Sequence, residues 1–234
     1  LVGSEMCIRD RVKREPLSHL LGQRQFWSIN FEVDSTVLDP RPDSEVLVET
    51  ALSLWPKSSE YFSVLDLGTG SGCLLISILK ERPSATGIGV DISCAALEIA
   101  KRNATRLIPD GRANFVKADW GSCFSKHFDL VIANPPYIPS QTIDDLDAEV
   151  KNFEPLLALD GGRDGLDAYR LIAKQLVRLT NVTGKILLEI GSNQSEEVKQ
   201  ILEKSKLRVE SVKKDLAGRN RCLVATPNIS QGVK

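Results

Sequence analysis

From residue 62 onward, short apolar runs alternate with longer stretches in which apolar residues recur every three or four positions. The runs lie at 62–67, 86–91, 113–116, 128–133 and 185–190, and their length and β-branched content predict strands. Helical segments fall at 72–81, 93–105, 164–179 and 195–204. Two closing runs, 207–212 and 221–225, have little chain between them and are expected to pair antiparallel. This alternation predicts an α/β fold built on a doubly wound, Rossmann-like sheet. The sheet should be mostly parallel, with an antiparallel C-terminal strand and helices on both faces.

Upstream the pattern changes. Residues 16–21 predict a short helix ended by Gly22, and 26–31 with 32–38 predict a hairpin rich in aromatic and β-branched residues. Pro40-Arg41-Pro42 then breaks the chain. Asp43 or Ser44 is expected to cap a helix through Leu54, with Val46, Leu47, Thr50, Ala51 and Leu54 on one side. Residues 1–11 do not begin with Met and lack the long apolar core of a signal peptide. They are expected to be foreign or disordered, or to mark a chain cut at its front.

Composition narrows the possible functions. The formal net charge of −1 gives no general attraction to nucleic acid or an anionic membrane. No apolar stretch approaches the ~20 residues that span a bilayer. The 5 cysteines (Cys7, Cys73, Cys94, Cys123, Cys222) are odd in number and widely spaced, which fits reduced cytosolic thiols better than disulfides or zinc. His19 and His127 lie beside no motif, no metal-ligand spacing is visible, and Asp144-Asp145-Leu146-Asp147 reads as a solvated face.

The candidate chemistry sits at strand ends, where ligands of such sheets bind. After the first strand comes Gly68-Thr69-Gly70-Ser71-Gly72, whose G-x-G-x-G spacing differs from the dinucleotide fingerprint, because position 73 is cysteine rather than glycine. A nucleoside with an amino-acid tail fits it better than one with a pyrophosphate. A glycine-rich turn holding no ligand is the plain alternative. Asp91 ends the second strand and can accept both ribose hydroxyls, or merely lend charge to the next helix. Asp119 and Trp120 follow the third strand; the indole suits an adenine face, and the carboxylate or nearby backbone suits its amino edge.

Asn134-Pro135-Pro136-Tyr137 closes the run 128–133. Both prolines lack an N–H and fix their own φ, so the strand becomes a stiff ledge. Asn134 Oδ1 and the Pro135 carbonyl can each accept one N–H of a planar amine or amide, while Tyr137 can stack on its plane. Beside an adenosyl site, this arrangement implies methyl transfer from S-adenosyl-L-methionine to a planar nitrogen, achieved by alignment rather than by a strong base. A Pro-Pro strand terminator is the bland reading.

These residues resemble the release-factor glutamine methyltransferases, the HemK/PrmC family. The likeness runs over roughly residues 12–226. It includes Arg14-Glu15-Pro16, Phe26-Trp27, Pro40-Arg41-Pro42-Asp43-Ser44-Glu45, Leu65-Asp66-Leu67, Glu154-Pro155, Gly161-Gly162-Arg163-Asp164-Gly165-Leu166, Glu189-Ile190-Gly191 with Gln194, and Asp215-Leu216-Ala217-Gly218. The resemblance implies a class I methyltransferase domain at 43–228, with 12–42 a remnant of an N-terminal helical domain and its β-hairpin linker. Residues 229–234 are expected to form a flexible tail. It implies S-adenosyl-L-methionine as cofactor, held by Gly68 to Gly72, Asp91, Trp120 and Asn134, to which the residue reading adds Asp119. Asn134 to Tyr137 would hold the glutamine of a Gly-Gly-Gln tripeptide in a peptide chain release factor. A monomer without stable nucleic-acid or membrane partners, in the bacterial cytoplasm or an organelle, is expected. The alternatives are a ribosomal-protein glutamine methyltransferase, an N6-adenine or N4-cytosine methyltransferase, a cofactor-binding module without transfer, and a nicotinamide dehydrogenase.

Overall fold

The computed structural model describes residues 14–228. The expectations for 1–11 and 229–234 therefore lie outside the described residues.

Seven strands form the main sheet: β3 (Ser63–Leu67), β4 (Thr86–Asp91), β5 (Ala113–Lys117), β6 (Phe128–Ala133), β7 (Thr180–Glu189), β8 (Leu207–Lys214) and β9 (Asn220–Pro227). Their order is β5-β4-β3-β6-β7-β9-β8. The pairs β3–β4, β4–β5, β3–β6 and β6–β7 are parallel, whereas β9 runs against both neighbours. The expected sheet is therefore present. Strand order reverses between β3 and β6, which makes the carboxyl ends of those strands the switch point.

Helices α2 (Glu45–Leu54), α3 (Cys73–Glu81) and α4 (Cys94–Leu107) cover one face, with Leu47, Leu75, Ile78 and Ala104 in a common apolar cluster. Helices α7 (Asp167–Leu179) and α8 (Ser195–Lys204) cover the other through Tyr169, Ile172, Leu176, Val198 and Leu202. These apolar rows are the ones visible in the sequence. They work as expected because a sheet buried on both faces needs a helical stripe against each.

The hairpin differs from expectation. Its strands are β1 (Gln23–Phe26) and β2 (Ile29–Glu32), and its turn is Trp27-Ser28, both at positive φ. Such a turn usually carries Asn or Gly, so nothing in the sequence marked it. Residues 33–38 do not return as a strand; Val33 and Val37 instead pack on Ala96 and Ile99 of α4. Helix α1 (Leu17–Leu21) precedes the hairpin and ends at Gly22, as expected.

Asp43 and Ser44 do not cap α2 through their side chains. Asp43 pairs with Arg221 and Ser44 meets Asn134 instead. Helix α7 starts three positions after the expected 164, because Gly165 turns the chain at φ +76. Strand β7 starts at Thr180, well before the apolar run that betrayed it. Short α5 (Ala148–Phe153) and α6 (Leu156–Leu159) had no detectable period at six and four residues.

Two buried polar groups tie this frame to the glycine loop. Asn103, fully buried on α4, accepts from Glu32 N at 2.7 Å. It also donates to the carbonyls of Glu32 and Ser71, each at 3.0 Å. Asp66, 1% exposed in β3, accepts from Thr69 Oγ1 at 2.7 Å. Burial pushes the Asp66 carboxyl up to about 7, opposed by the Thr69 hydroxyl and reinforced by the charge of Asp91.

Asn103→Ala takes the partner from three backbone groups, and the expected loss of stability is about 3 kcal/mol. An unchanged urea midpoint contradicts the tie. Asp66 has a folded pKa above its unfolded value, so its contribution to stability is complete below the unfolded pKa. That contribution is lost as pH rises through about 7. Asp66→Asn should therefore gain on the parent as pH rises, by up to about 4 kcal/mol. Parallel stability–pH curves for the two proteins contradict the assignment.

Candidate active site

The parallel register pairs Leu67 with Ala133, so the next residues along each strand, Gly68 and Asn134, leave the sheet side by side. Asp91 ends the adjoining β4, and Asp119-Trp120 follow β5. A cavity of about 350 Å³ opens over these ends. Gly68, Gly70, Asp91, Asp119, Trp120, Asn134 and Pro136 line it. Thr69, Ser71, Gly72, Pro135 and Tyr137 do not. Thr69 and Ser71 are buried and shape the loop from below, and Gly72 opens α3.

The loop's backbone donors are largely used internally. Gly68 N and Thr69 N both donate to the Val90 carbonyl at 2.8 Å, and Gly72 N donates to the Thr69 carbonyl at 2.8 Å. Gly70 N donates to Asp91 Oδ2 at 3.0 Å. A pyrophosphate would find few free N–H groups here, with a carboxylate already seated among them, which argues against a dinucleotide. The other oxygen of Asp91 accepts from Ser93 N at 2.9 Å. Each carboxylate oxygen keeps lone-pair capacity for a hydroxyl facing the cavity. Gly68, at φ +73, brings bare backbone against the indole of Trp120; a Cβ there would stand 3.4 Å from the ring. The donor set therefore fits a nucleoside with an amino-acid tail.

The Asn134–Tyr137 ledge is braced from behind. Gln194 Nε2 donates to the Tyr137 carbonyl at 3.0 Å and to the Gly165 carbonyl at 3.2 Å. Ile138 N donates to the Leu159 carbonyl at 3.1 Å, and Gly161 N donates to that of Ile138 at 2.9 Å. A Cβ on Gly165 would collide with the Tyr137 carbonyl, so the brace requires glycine there.

Tyr137 is anchored at its hydroxyl end. Its ring packs on the apolar cluster beneath α7, and its hydroxyl donates to Glu189 Oε1 at 3.4 Å. A buried phenol seeks a polar partner, and the one it finds lies under the ledge rather than across the cavity. Burial beside the Glu189 carboxylate pushes the phenol pKa well up.

Several residues here were given no role by sequence reading. The far wall consists of Thr36, Val37 and Leu38 facing Pro155, Leu157 and Ala158. Glu154 holds the two segments together: Asp39 N donates to its Oε2 at 3.0 Å, and Arg41 Nη2 donates to its Oε1 at 2.7 Å. Burial raises the Glu154 carboxyl, opposed by Arg41. Ser44 accepts from Asn134 Nδ2 at 3.3 Å. Such long-range partners leave no local pattern. Glu189 did leave a signal, a carboxylate near the end of an apolar run, as at Asp91.

Comparison with known proteins agrees with this geometry. Residues 58–224 match the family described as a methyltransferase domain. The chain is 45% identical to the release factor glutamine methyltransferase of Rhodospirillum rubrum, over 94% of this chain and 67% of that protein. It is 43% identical to that of Caulobacter vibrioides, over 93% of this chain and 75% of that one. A methyltransferase structure from Pyrococcus furiosus shares the fold, with TM-score 0.65 at 16% identity, covering 94% of this chain and 99% of that one. The sequence kinship and the matched domain together show that the chain belongs to the release factor glutamine methyltransferase family.

Proposed function

We propose that the chain methylates the side-chain amide nitrogen (N5) of the glutamine in the Gly-Gly-Gln tripeptide of a peptide chain release factor. One observation carries the reading. The glycine loop, Asp91 and Trp120 share a single cavity with Asn134 and Pro136, so a nucleoside site and an amide-gripping ledge adjoin. S-adenosyl-L-methionine is the cofactor of this family, and when bound it supplies a methyl group activated on a sulfonium. Gly68, Gly70, Asp91, Asp119 and Trp120 would hold it, with Asp91 accepting from the ribose.

The protein's remaining task is to position a weak nucleophile. A carboxamide nitrogen has its lone pair delocalised into the carbonyl. Asn134 Oδ1 and the Pro135 carbonyl would each accept one of its N–H groups, and both bonds strengthen as the nitrogen pyramidalises and its protons become acidic. The imide-like ledge offers acceptors without competing N–H groups, because residues 135 and 136 are both proline. Once alkylated, the nitrogen is strongly acidic and releases its proton to solvent without a dedicated base. Leu157 and the Val37–Leu38 segment wall the cavity and limit water. Tyr137, anchored to Glu189 through its hydroxyl, fixes its ring at the end of the ledge.

Incubation with labelled S-adenosyl-L-methionine, a release factor, a ribosomal protein and DNA should place the methyl on the tripeptide glutamine, as read by mass spectrometry. Label confined to the ribosomal protein or DNA overturns the substrate assignment. Asn134→Ala should reduce turnover about 10²- to 10³-fold, the scale of losing one preorganised partner of the transition state. Near-parental turnover contradicts its role. Asp91→Asn should weaken binding of S-adenosylhomocysteine about tenfold by calorimetric titration, as expected for a lost charge-assisted hydrogen bond. Equal affinity removes Asp91 from the cofactor site.

A further inference from the structure

Beneath the Asn134 end of the ledge lies a buried polar cluster drawn from five separate segments. Glu189 is 1% exposed and Ser44 is 3% exposed. The Ser44 hydroxyl lies against the Glu189 carboxylate and favours its charged form. Tyr137 donates to Glu189 Oε1, while Glu189 Oε2 is buried without a partner of ordinary hydrogen-bond geometry. Arg221 of β9 faces the same carboxylate. It is held by Asp215 at 3.1 Å and by Asp43 at 3.0 Å. From α7, Tyr169 donates to the Glu189 main-chain carbonyl at 2.8 Å.

A serine hydroxyl carries one proton and can also accept. Ser44 Oγ accepts from Asn134 Nδ2, so its own proton is left for the nearby carboxylate. We infer that Ser44 and Glu189 are positioning residues for Asn134: the hydroxyl, oriented by the carboxylate, takes the amide's NH2 end and leaves Oδ1 for the substrate. The inference rests on the role proposed for Asn134 above. It explains why an ionisable group is kept under the ledge, where an apolar side chain would avoid the cost of burying charge.

The direction of the relay depends on protonation. With Glu189 ionised, donors run from Asn134 to Ser44 to Glu189. With Glu189 protonated, the carboxyl can donate to Ser44, whose proton then turns toward Asn134. The amide is then drawn to the opposite flip, presenting NH2 where an acceptor is needed. Burial pushes the Glu189 carboxyl up to about 7, against the opposing pull of Ser44, Arg221 and Tyr137; Asp43 adds to the rise. Turnover should therefore be full above that pH and fall as pH drops through it.

The test compares Glu189→Gln, Ser44→Ala, Ser44→Thr and Asn134→Ala, measured with S-adenosyl-L-methionine and a release factor. Glu189→Gln and Ser44→Ala should lower kcat by about 10- to 100-fold, the scale of misplacing a positioned group. Affinity for S-adenosylhomocysteine should stay close to the parent's, and Ser44→Thr should restore turnover. The parent's acid limb near pH 7 should be missing from Glu189→Gln. Parental kcat in both Glu189→Gln and Ser44→Ala, or an unchanged acid limb in Glu189→Gln, overturns the relay. If Glu189→Gln no longer binds cofactor, the serine pair decides: a slow Ala beside a fast Thr sustains the relay, and equal rates overturn it. Fast Asn134→Ala overturns the reading of the whole site. Slow Asn134→Ala with fast Ser44→Ala and Glu189→Gln overturns the relay alone.

Discussion

The parallel pairing of β3 with β6 is the constraint on which the site depends. Its register sets Leu67 opposite Ala133, so the glycine loop and the Asn-Pro-Pro ledge begin at the same height on neighbouring strands. A slip of one residue would exchange the two rows of side chains, moving Val64 into the cluster that Leu65 and Leu67 occupy and breaking the fit to both helical layers. Val64, Leu65, Leu67, Leu130, Val131 and Ile132 are all fully buried, so the core itself fixes the register. Packing thus sets catalytic geometry before any polar group contributes.

Buried polar groups then refine what packing has placed. Asn103 joins the hairpin to the loop backbone at Ser71, and Asp66 holds Thr69 within the loop. On the other side of the switch point, Glu154 ties Asp39 and Arg41 to the segment that forms the cavity's far wall. Glu189 sits beneath the ledge with Ser44, Tyr137 and Arg221. Three of these four are carboxylates whose burial raises their pKa, and they surround the cavity rather than filling the core at random. Groups held at such cost cluster where orientation matters to chemistry.

The sheet, its doubly wound class and the part of the cavity lining at the strand ends were legible in the sequence because they follow local rules. Apolar runs end in glycine, aspartate or asparagine at the strand ends, and G-x-G-x-G separates a nucleoside loop from a dinucleotide one. The remainder was hidden for physical reasons. Trp27-Ser28 turn the hairpin at positive φ without the usual residues. Short helices between 148 and 159 are too brief to show a period and are held by contacts from distant segments. Ser44 and Asn134 are 90 positions apart, and Arg41 and Glu154 are 113 apart. The Tyr137 and Glu189 side chains, 52 positions apart, likewise meet without a local signal.

The most direct measurement is a crystal structure of the protein with S-adenosylhomocysteine and a glutamine-bearing release-factor peptide. The account predicts the ribose on Asp91, the base beside Trp120, and the glutamine carboxamide within hydrogen-bond reach of Asn134 Oδ1 and the Pro135 carbonyl. A nucleoside seated outside this cavity, or a carboxamide bound away from the ledge, would contradict it.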